Sequence, residues 1–328
     1  MKKRVLYTSG VVIFGICFLF MLYYGKETFY VENIETSAET HDFHFALIIE
    51  EAGNPYWQMI ERSAEETASK HNIYLETIGP RKSDTDEVLK MIDRMIAAKV
   101  DGIITQGLPG PRFLELMNKA SENGVPVLTV DSDVSESERK AYIGTDNYEA
   151  GRLAGEELIQ STEGKQFVGI ITGNLESLNQ QERIKGFEDA LKKTDRIGIV
   201  DIQESNITEA GAAQAAYSMM KQHSEINALF GTSALDGIGM AEGVEEITVW
   251  ERPYMITFDI LPETLELLEE GSIDATVVQY PEEMGEKAIH IMLELQEKDY
   301  VEPLQYTKTN VIHRADWETL EPDEEDAS

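Results

Sequence analysis

From residue 43 onward, short apolar runs alternate with longer segments in which apolar residues recur every three or four positions. Apolar runs of strand length are typical of parallel strands buried on both faces, and the three-to-four spacing is typical of amphipathic helices. In the first such helix, the spacing puts Trp57, Ile60 and Ala64 on one stripe. The pattern therefore predicts repeated strand–helix units.

The predicted units form two consecutive series of similar make. The predicted strands lie at residues 43–50, 73–78, 101–105, 125–130, 142–145, 166–172, 197–203, 228–232, 254–259 and 274–279, with a last strand-like run at 306–314. The predicted helices lie at residues 55–71, 86–99, 111–124, 147–160, 180–193, 209–222, 234–243, 262–271 and 282–298. Strands that alternate with helices form a parallel sheet covered by helices, so we expect an α/β fold with two doubly wound parallel-sheet lobes.

A different pattern occupies the N-terminus, where residues 5–24 carry no charge. At about 1.5 Å per residue this run spans roughly 30 Å, the thickness of a bilayer core. Basic residues precede it and acidic residues follow it, which places the N-terminus in the cytoplasm and the remainder outside. We expect a transmembrane signal-anchor within residues 1–25 and a polar linker at 26–42, with the C-terminal domain extracytoplasmic.

The apolar run fits two other kinds of N-terminal segment less well. A cleaved signal peptide requires small residues just after a shorter apolar core, and the run ends without such a site. A lipoprotein requires small residues before its modified cysteine, whereas Ile16 precedes Cys17 and the apolar run continues beyond it. An uncleaved single-pass anchor fits best. Cys17 is the one cysteine of the sequence, which excludes a disulfide within the chain.

The charge balance excludes whole classes of partner. The 328 residues include 28 Lys and Arg against 61 Asp and Glu, a formal charge of -33. A protein that binds nucleic acid neutralises phosphates with cations, and docking onto anionic lipid needs a basic surface, so neither is expected. Residues 317–328 form an acidic tail.

Polar side chains follow several predicted strands at the point where each strand ends. Asp131 ends the apolar run of "VPVLTVDSD", and Asp259 ends that of "ITFD". Asp and Ser also form turns, so these acids could simply cap the next turn. Open α/β sheets bind ligands beyond the carboxyl ends of their strands, and two facing lobes would bring such groups together. The candidate ligand-binding residues are Asn54, Tyr56, Trp57, Asp131, Arg183, Ser233, Asp259 and Gln279.

This set of residue types suits a sugar. Hydroxyl groups donate to carboxylates and accept from Arg, Asn and Gln, and an aromatic ring covers the apolar face of a sugar ring. Trp57 could instead belong to the lobe core, and Arg183 could be a solvated helix charge. Asp131 and Asp259 could form an acid/base pair of a glycoside-processing enzyme, but signatures of nucleophilic, phosphate-binding or zinc catalysis are missing, so no enzyme is expected.

No cofactor or metal is expected either. The run "GIGMAEG" nearly imitates a dinucleotide-binding fingerprint, but Glu242 stands where the third glycine is needed, which favours close helix packing. His41 and His44 have a loosely metal-like spacing, yet no further ligand cluster accompanies them.

Seven motifs give the chain a family resemblance: "NPYW", "VDGII", "VPVLTVDSD", "YIGTDNYEAG", "ERIKGF", "ITFD" and "ATVVQYPEEMG", in this order. The chain resembles the type I periplasmic binding proteins of the ribose- and galactose-binding kind, which share their core with lactose-repressor-type regulators. The resemblance covers residues 43–316. It implies two lobes joined by a three-strand hinge, with crossings near Thr145, Gln279 and Tyr306. The implied lobes are residues 43–145 plus 280–306, and residues 146–279 plus 307–316.

The resemblance also implies roles for the candidate residues. Asn54, Tyr56, Trp57 and Asp131 would line a sugar site, Arg183 would donate to hydroxyls, and Asp259 and Gln279 occupy further ligand positions. Two departures leave the identity of the sugar open. Ser132 stands where such proteins often have arginine, and Ser233 stands where many have Asn or Asp, with Asp236 displaced by about one helical turn.

The function implied is a membrane-anchored, extracytoplasmic solute-binding protein for a small sugar, with a monosaccharide expected. Its partner would be a membrane sensor histidine kinase or the permease of an ABC transporter. Family members that serve transport in single-membrane bacteria are usually lipid-anchored or released, so a protein anchor favours the sensing role. A cytoplasmic repressor is excluded because a membrane span, and no DNA-binding helix-turn-helix, precedes residue 43.

Overall fold

The computed structural model describes residues 14–16, 18–21, 41–247 and 252–317. The chain divides into two units, Met1–His41 and Asp42–Ser328. In the first unit the described residues before His41 are helical, and the rings of Phe14 and Phe18 stack at 6.4 Å.

The predicted termini fall largely outside this description. Among the described residues, no helix is both long enough and apolar enough to cross a membrane. Most of the predicted anchor at residues 5–24, most of the linker at 26–42 and almost all of the tail at 317–328 lie outside the described residues.

The second unit alternates strands and helices along its length. Its strands are β1 (Phe43–Ile48), β2 (Ile73–Ile78), β3 (Gly102–Thr105), β4 (Val127–Val130), β5 (Ala141–Gly144), β6 (Gln166–Thr172), β7 (Ile197–Glu204), β8 (Ala228–Gly231), β9 (Tyr254–Phe258), β10 (Ala275–Val278), β11 (Leu304–Tyr306) and β12 (Asn310–His313). Its helices are α1 (Pro55–Lys70), α2 (Thr85–Ala98), α3 (Pro111–Glu122), α4 (Asn147–Ser161), α5 (Leu178–Leu191), α6 (Glu209–Gln222), α7 (Ala234–Glu245), α8 (Pro262–Glu270), α9 (Pro281–Glu297) and α10 (Arg314–Trp317).

The strands form two six-stranded sheets, in the orders β11-β5-β4-β3-β1-β2 and β12-β10-β9-β8-β6-β7. Their pairings are parallel except for β10 with β12, which is antiparallel. Hydrophobic clusters cover both faces of each sheet, which is the doubly wound arrangement predicted from the alternating pattern. We call the parts built on these sheets the first and the second lobe.

The last strand-like run is shared between the two sheets. The strand-like run at residues 306–314 contains the end of β11, which belongs to the first sheet, and all of β12, which belongs to the second, so the chain crosses next to Tyr306 as the family resemblance implied. The threonines at 307 and 309 continue the strand-like pattern across the crossing, so local sequence hides the break. The chain also passes between the sheets after β5 and after β10. The lobe bounds set from the sequence stay a prediction.

The start of α1 shows how local sequence positions the cleft residues. Asn54 caps the helix, and its side-chain oxygen accepts hydrogen bonds from the backbone N–H groups of Tyr56 at 3.0 Å and Trp57 at 3.4 Å. Pro55 occupies the first helical position, where its missing N–H costs nothing. The predicted stripe is confirmed, since Trp57, Ile60 and Ala64 are all buried.

Helices α4 and α5 pack at the close range that glycine allows. A Cβ atom on Gly151 would overlap the carbonyl oxygen of Arg183, and one on Gly186 would overlap that of Tyr148. The helix that carries Arg183 is therefore fixed at a short distance from α4.

Candidate functional site

The carboxyl ends of both sheets border a cavity of about 490 Å³, a volume that includes its mouth. Residues from both lobes line it, and all eight residues predicted from the sequence are among them. The cavity is lined by Asn54, Tyr56, Trp57, Asp131, Arg183, Ser233, Asp259 and Gln279, together with Glu50, Asn179, Gln180, Ile207, Ala234, Leu235 and Leu261.

Asp131 directly follows β4 and is only 4% exposed. Its carboxylate accepts hydrogen bonds from the hydroxyl of Tyr56 at 2.9 Å and from Nδ2 of Asn179 at 2.7 Å. Burial raises the pKa of Asp131, and the nearby positive charge of Arg183 and these two donors oppose the rise. The carboxylate therefore does not cap the turn after its strand, as the alternative interpretation held; it faces the cleft and binds a residue of the other lobe.

Asp259 holds the equivalent place in the second lobe, directly after β9. Its Oδ1 accepts a hydrogen bond from Nε2 of Gln279 at 2.7 Å. Burial raises its pKa to about 6, against the opposing charge of Arg183. Asp131 and Asp259 share a left-handed backbone, with φ of 66° and 69°. Asp tolerates this conformation better than most residues, and such strain concentrates at functional sites.

Arg183 is buried beneath the cavity and is held by neutral acceptors. Its Nε donates to Oδ1 of Asn147 at 2.9 Å, Nη1 to the carbonyl of Thr232 at 2.8 Å, and Nη2 to Oε1 of Gln279 at 2.7 Å. The guanidinium lies 4.2 Å from the centre of the Phe258 ring. Three of its five N–H groups are used, and it forms no ion pair with any described carboxylate. Arg183 is thus a fixed cation rather than a solvated helix charge.

Tyr56 and Trp57 form an aromatic wall on the first lobe. Their rings meet edge to face with centroids 6.3 Å apart. Trp57 is 2% exposed and packs in the first lobe's core, and its Nε1 donates to Oε2 of Glu50 at 3.4 Å. The two interpretations of Trp57 are compatible, because it is a core residue whose ring also borders the cavity.

Ser233 caps α7, and its hydroxyl donates to Oδ2 of Asp236 at 2.7 Å. Asp236 is fully buried and also accepts from the hydroxyls of Ser205 at 2.6 Å and Thr232 at 3.2 Å. Burial raises its pKa to about 6, against these three donors. Asp236, the displaced acid noted in the sequence, therefore holds the hydroxyl of Ser233 by a hydrogen bond and does not line the cavity.

The comparisons with known proteins agree with this geometry. A model of the periplasmic binding protein domain matches residues 45–299. The chain belongs to this family. Its relatives indicate the sugar-binding members of the type I branch. One of them is the D-allose-binding periplasmic protein of Escherichia coli (strain K12), which is 22% identical over 270 residues; the match covers 79% of this chain and 86% of that protein.

This periplasmic binding protein also resembles solved structures of sugar-binding proteins. GanP, a glucose-galactose binding protein from Geobacillus stearothermophilus, is 46% identical with a TM-score of 0.81, over 84% of this chain and 99% of that one. A chain of the XylFII–LytSN complex is 36% identical with a TM-score of 0.79, over 83% and 98%. The chain is therefore a sugar-binding protein with the type I periplasmic binding fold, and its relatives are binding proteins, not enzymes.

Three polar cavity residues of this periplasmic binding protein, Glu50, Asn179 and Gln180, were not predicted. Glu50 accepts a hydrogen bond from the hydroxyl of Ser83 at 3.0 Å, and burial and the charge of Asp131 raise its pKa to about 7. The signal for Glu50 was present, since it follows an apolar run as Asp131 does, but the predicted strand ran through it. Asn179 and Gln180 belong to the first turn of α5, which the apolar spacing placed later.

One member of the histidine pair noted in the sequence, His44, lies beside an acidic side chain. Nε2 of His44 lies 3.0 Å from Oε2 of Glu76. Across the described ranges, no group of three or more His, Cys, Asp or Glu side chains is arranged to hold a metal ion.

Proposed function

We propose that this chain is a membrane-anchored, extracytoplasmic receptor that closes on a small sugar and passes its bound state to a membrane partner. The observation that carries the proposal is the cavity built by both lobes, with the buried carboxylate of Asp131 hydrogen-bonded across them to Asn179. A ligand in this position contacts both lobes at once.

The chemistry of the cavity supports a sugar ring. The carboxylates of Asp131 and Asp259 accept hydrogen bonds from hydroxyls, and the remaining N–H groups of Arg183 donate to them. Tyr56 and Trp57 supply aromatic surface for the apolar side of the ring.

Contacts between the lobes support a closing motion. Leu178 of the second lobe packs against the first lobe's core, and Met59 of the first lobe packs against a small apolar cluster of the second lobe, formed by Ala234, Ile238 and Leu261. These apolar contacts, like the bond between Asp131 and Asn179, exist only when the lobes are together. A sugar that binds the closed state better shifts the population toward it.

A sensor histidine kinase is the partner we favour, and the permease of an ABC transporter is the second candidate. The complex of XylFII with LytSN supports a protein partner, because XylFII is 36% identical to this chain. The uncharged run at residues 5–24 supports an anchor beside such a partner.

Two experiments test the proposal. Thermal shift with D-glucose, D-galactose, D-xylose, D-ribose, D-allose and L-arabinose should raise the melting temperature for at least one sugar, since ligand binding adds RT ln(1 + [L]/Kd) to stability. The full-length chain, purified from detergent-solubilised membranes of its own host, should retain an intact N-terminus and bring a kinase or a permease with it. Mature protein that begins near residue 39, or a lipid on Cys17, would contradict the anchor.

A further inference from the structure

A second chamber adjoins the cavity described above. It measures about 460 Å³ with its opening and is also walled by both lobes. Residues 106–109, after β3, form one side, and Asn174 and residues 176–178, before and at the start of α5, form the other. Glu50, Asn179 and Gln180 line both chambers, so the two are neighbours with a shared wall.

Gln106 is the residue that suggests a ligand in the second chamber. It is 7% exposed and lines this chamber, and its side-chain amide makes no hydrogen bond to any residue that the structure describes. The amide atoms of Gln106 are not themselves fully buried, so they face the open space of the chamber and are accessible to a bound molecule. The amide of Gln106 therefore offers a donor and an acceptor to a bound molecule.

The rest of the wall indicates what kind of molecule fits. None of the residues that line the chamber is aromatic, so a ring there would be held by hydrogen bonds and not by stacking. Glu50 and Glu176 both border it, which disfavours phosphate and carboxylate groups. A neutral group rich in hydroxyls satisfies these conditions.

We propose that the second chamber is a subsite for a neutral, hydroxylated unit joined to the sugar ring in the first cavity, with Gln106 as its hydrogen-bonding partner. The ligand class is then a disaccharide or a glycoside with a polar aglycone. This inference rests on the proposed sugar site, which would hold one end of the longer ligand.

The test is isothermal titration calorimetry with matched sugars: D-glucose and D-galactose against cellobiose, maltose, lactose and melibiose. At least one disaccharide should bind about tenfold or more tightly than its own monosaccharides. Gln106→Ala should weaken the binding of that disaccharide by about tenfold, as expected for one lost hydrogen bond. It should leave monosaccharide affinity within about twofold of the wild-type value. Gln222→Ala, at the exposed end of α6, is the matched control and should change neither affinity.

The outcomes separate this inference from the proposed function. If monosaccharides bind and every disaccharide binds more weakly, the second subsite is wrong and the sugar site stands. If Gln106→Ala weakens monosaccharides and disaccharides equally, Gln106 belongs to the first cavity and the inference is also wrong. If none of these sugars binds and none of the six monosaccharides named above raises the melting temperature, the proposed sugar site itself fails. Melting temperatures, measured alongside, identify a variant that loses affinity by unfolding.

Discussion

Replacing Asp131 should separate its role in binding from its role in folding. Its carboxylate accepts two hydrogen bonds, from Tyr56 and Asn179, and would accept another from a sugar hydroxyl. Hydrogen bonds to charged groups contribute roughly 1.5–3 kcal/mol, so losing the ligand bond should weaken binding by about 10- to 150-fold. We expect this range for both Asp131→Asn and Asp131→Ala.

The two substitutions should differ in stability. Alanine at the left-handed backbone of Asp131 costs roughly 1–2 kcal/mol and leaves two donors without their acceptor. Asparagine tolerates that backbone and removes a charge that burial already disfavours, as the raised pKa of Asp131 shows. The free energy of unfolding should therefore fall by at least about 2 kcal/mol in the alanine variant and change little in the asparagine variant.

The assay is calorimetric titration with the best sugar, paired with urea unfolding of the sugar-free protein. Asp133→Asn is the control, because Asp133 pairs with Arg139 at 2.6 Å and does not line the cavity. Normal sugar affinity in Asp131→Asn together with a large loss of stability would refute the reasoning, since the carboxylate would then be a structural acceptor for Tyr56 and Asn179 alone.

Three further predictions follow from the same contacts. Arg183→Lys keeps the charge, but a lysine cannot reach all three acceptors of Arg183. The free energy of unfolding, measured with urea, should fall by about 1.5–3 kcal/mol, and sugar affinity, measured by calorimetry, should fall at least tenfold. An unchanged affinity would show that Arg183 does not contact the sugar. Because the pKa of Glu50 is raised from 4.5 to about 7, its ionised form destabilises the fold as pH rises through that interval. Glu50→Gln should match wild-type stability near pH 4 and exceed it by roughly 3 kcal/mol at pH 8, and a pH-independent difference would contradict this. Saturating sugar should reduce the radius of gyration in small-angle scattering, and no change would mean that the lobes do not close on the sugar.

The sequence predicted the layers of the fold well because both sheets are parallel and buried. Their strands read as apolar runs, and the helices that cover them carry one apolar stripe, as α1 does with Trp57 and Ile60. The eight predicted residues all line the cavity, and most of them follow strands whose carboxyl ends meet at one edge of each sheet.

What the sequence missed depends on how distant segments meet. The bond from Asn179 to Asp131 exists because the lobes meet, and no local spacing encodes that contact. The role of Asp236 was missed for the same reason. Asp236 is buried and accepts hydrogen bonds from three hydroxyl groups, and one of these belongs to Ser233. The apolar pattern alone does not show the crossing from β11 to β12, because its residues have strand-like chemistry on both sides; the family resemblance is what located it near Tyr306.

That crossing and the helix before it have a consequence for the order in which the two lobes can complete their folding. Met284, Ile289 and Met292 of α9 fill the first lobe's core, and β11 completes its sheet beside β5. These parts are made after nearly all of the second lobe. The first lobe therefore cannot complete its core or its sheet until the chain is nearly finished. Before that point, one face of its core is uncovered and one edge of its sheet is unpaired. Exposed sheet edges and apolar faces are where incompletely folded chains aggregate, so we expect the first lobe to complete its folding only after α9 and β11 have been made.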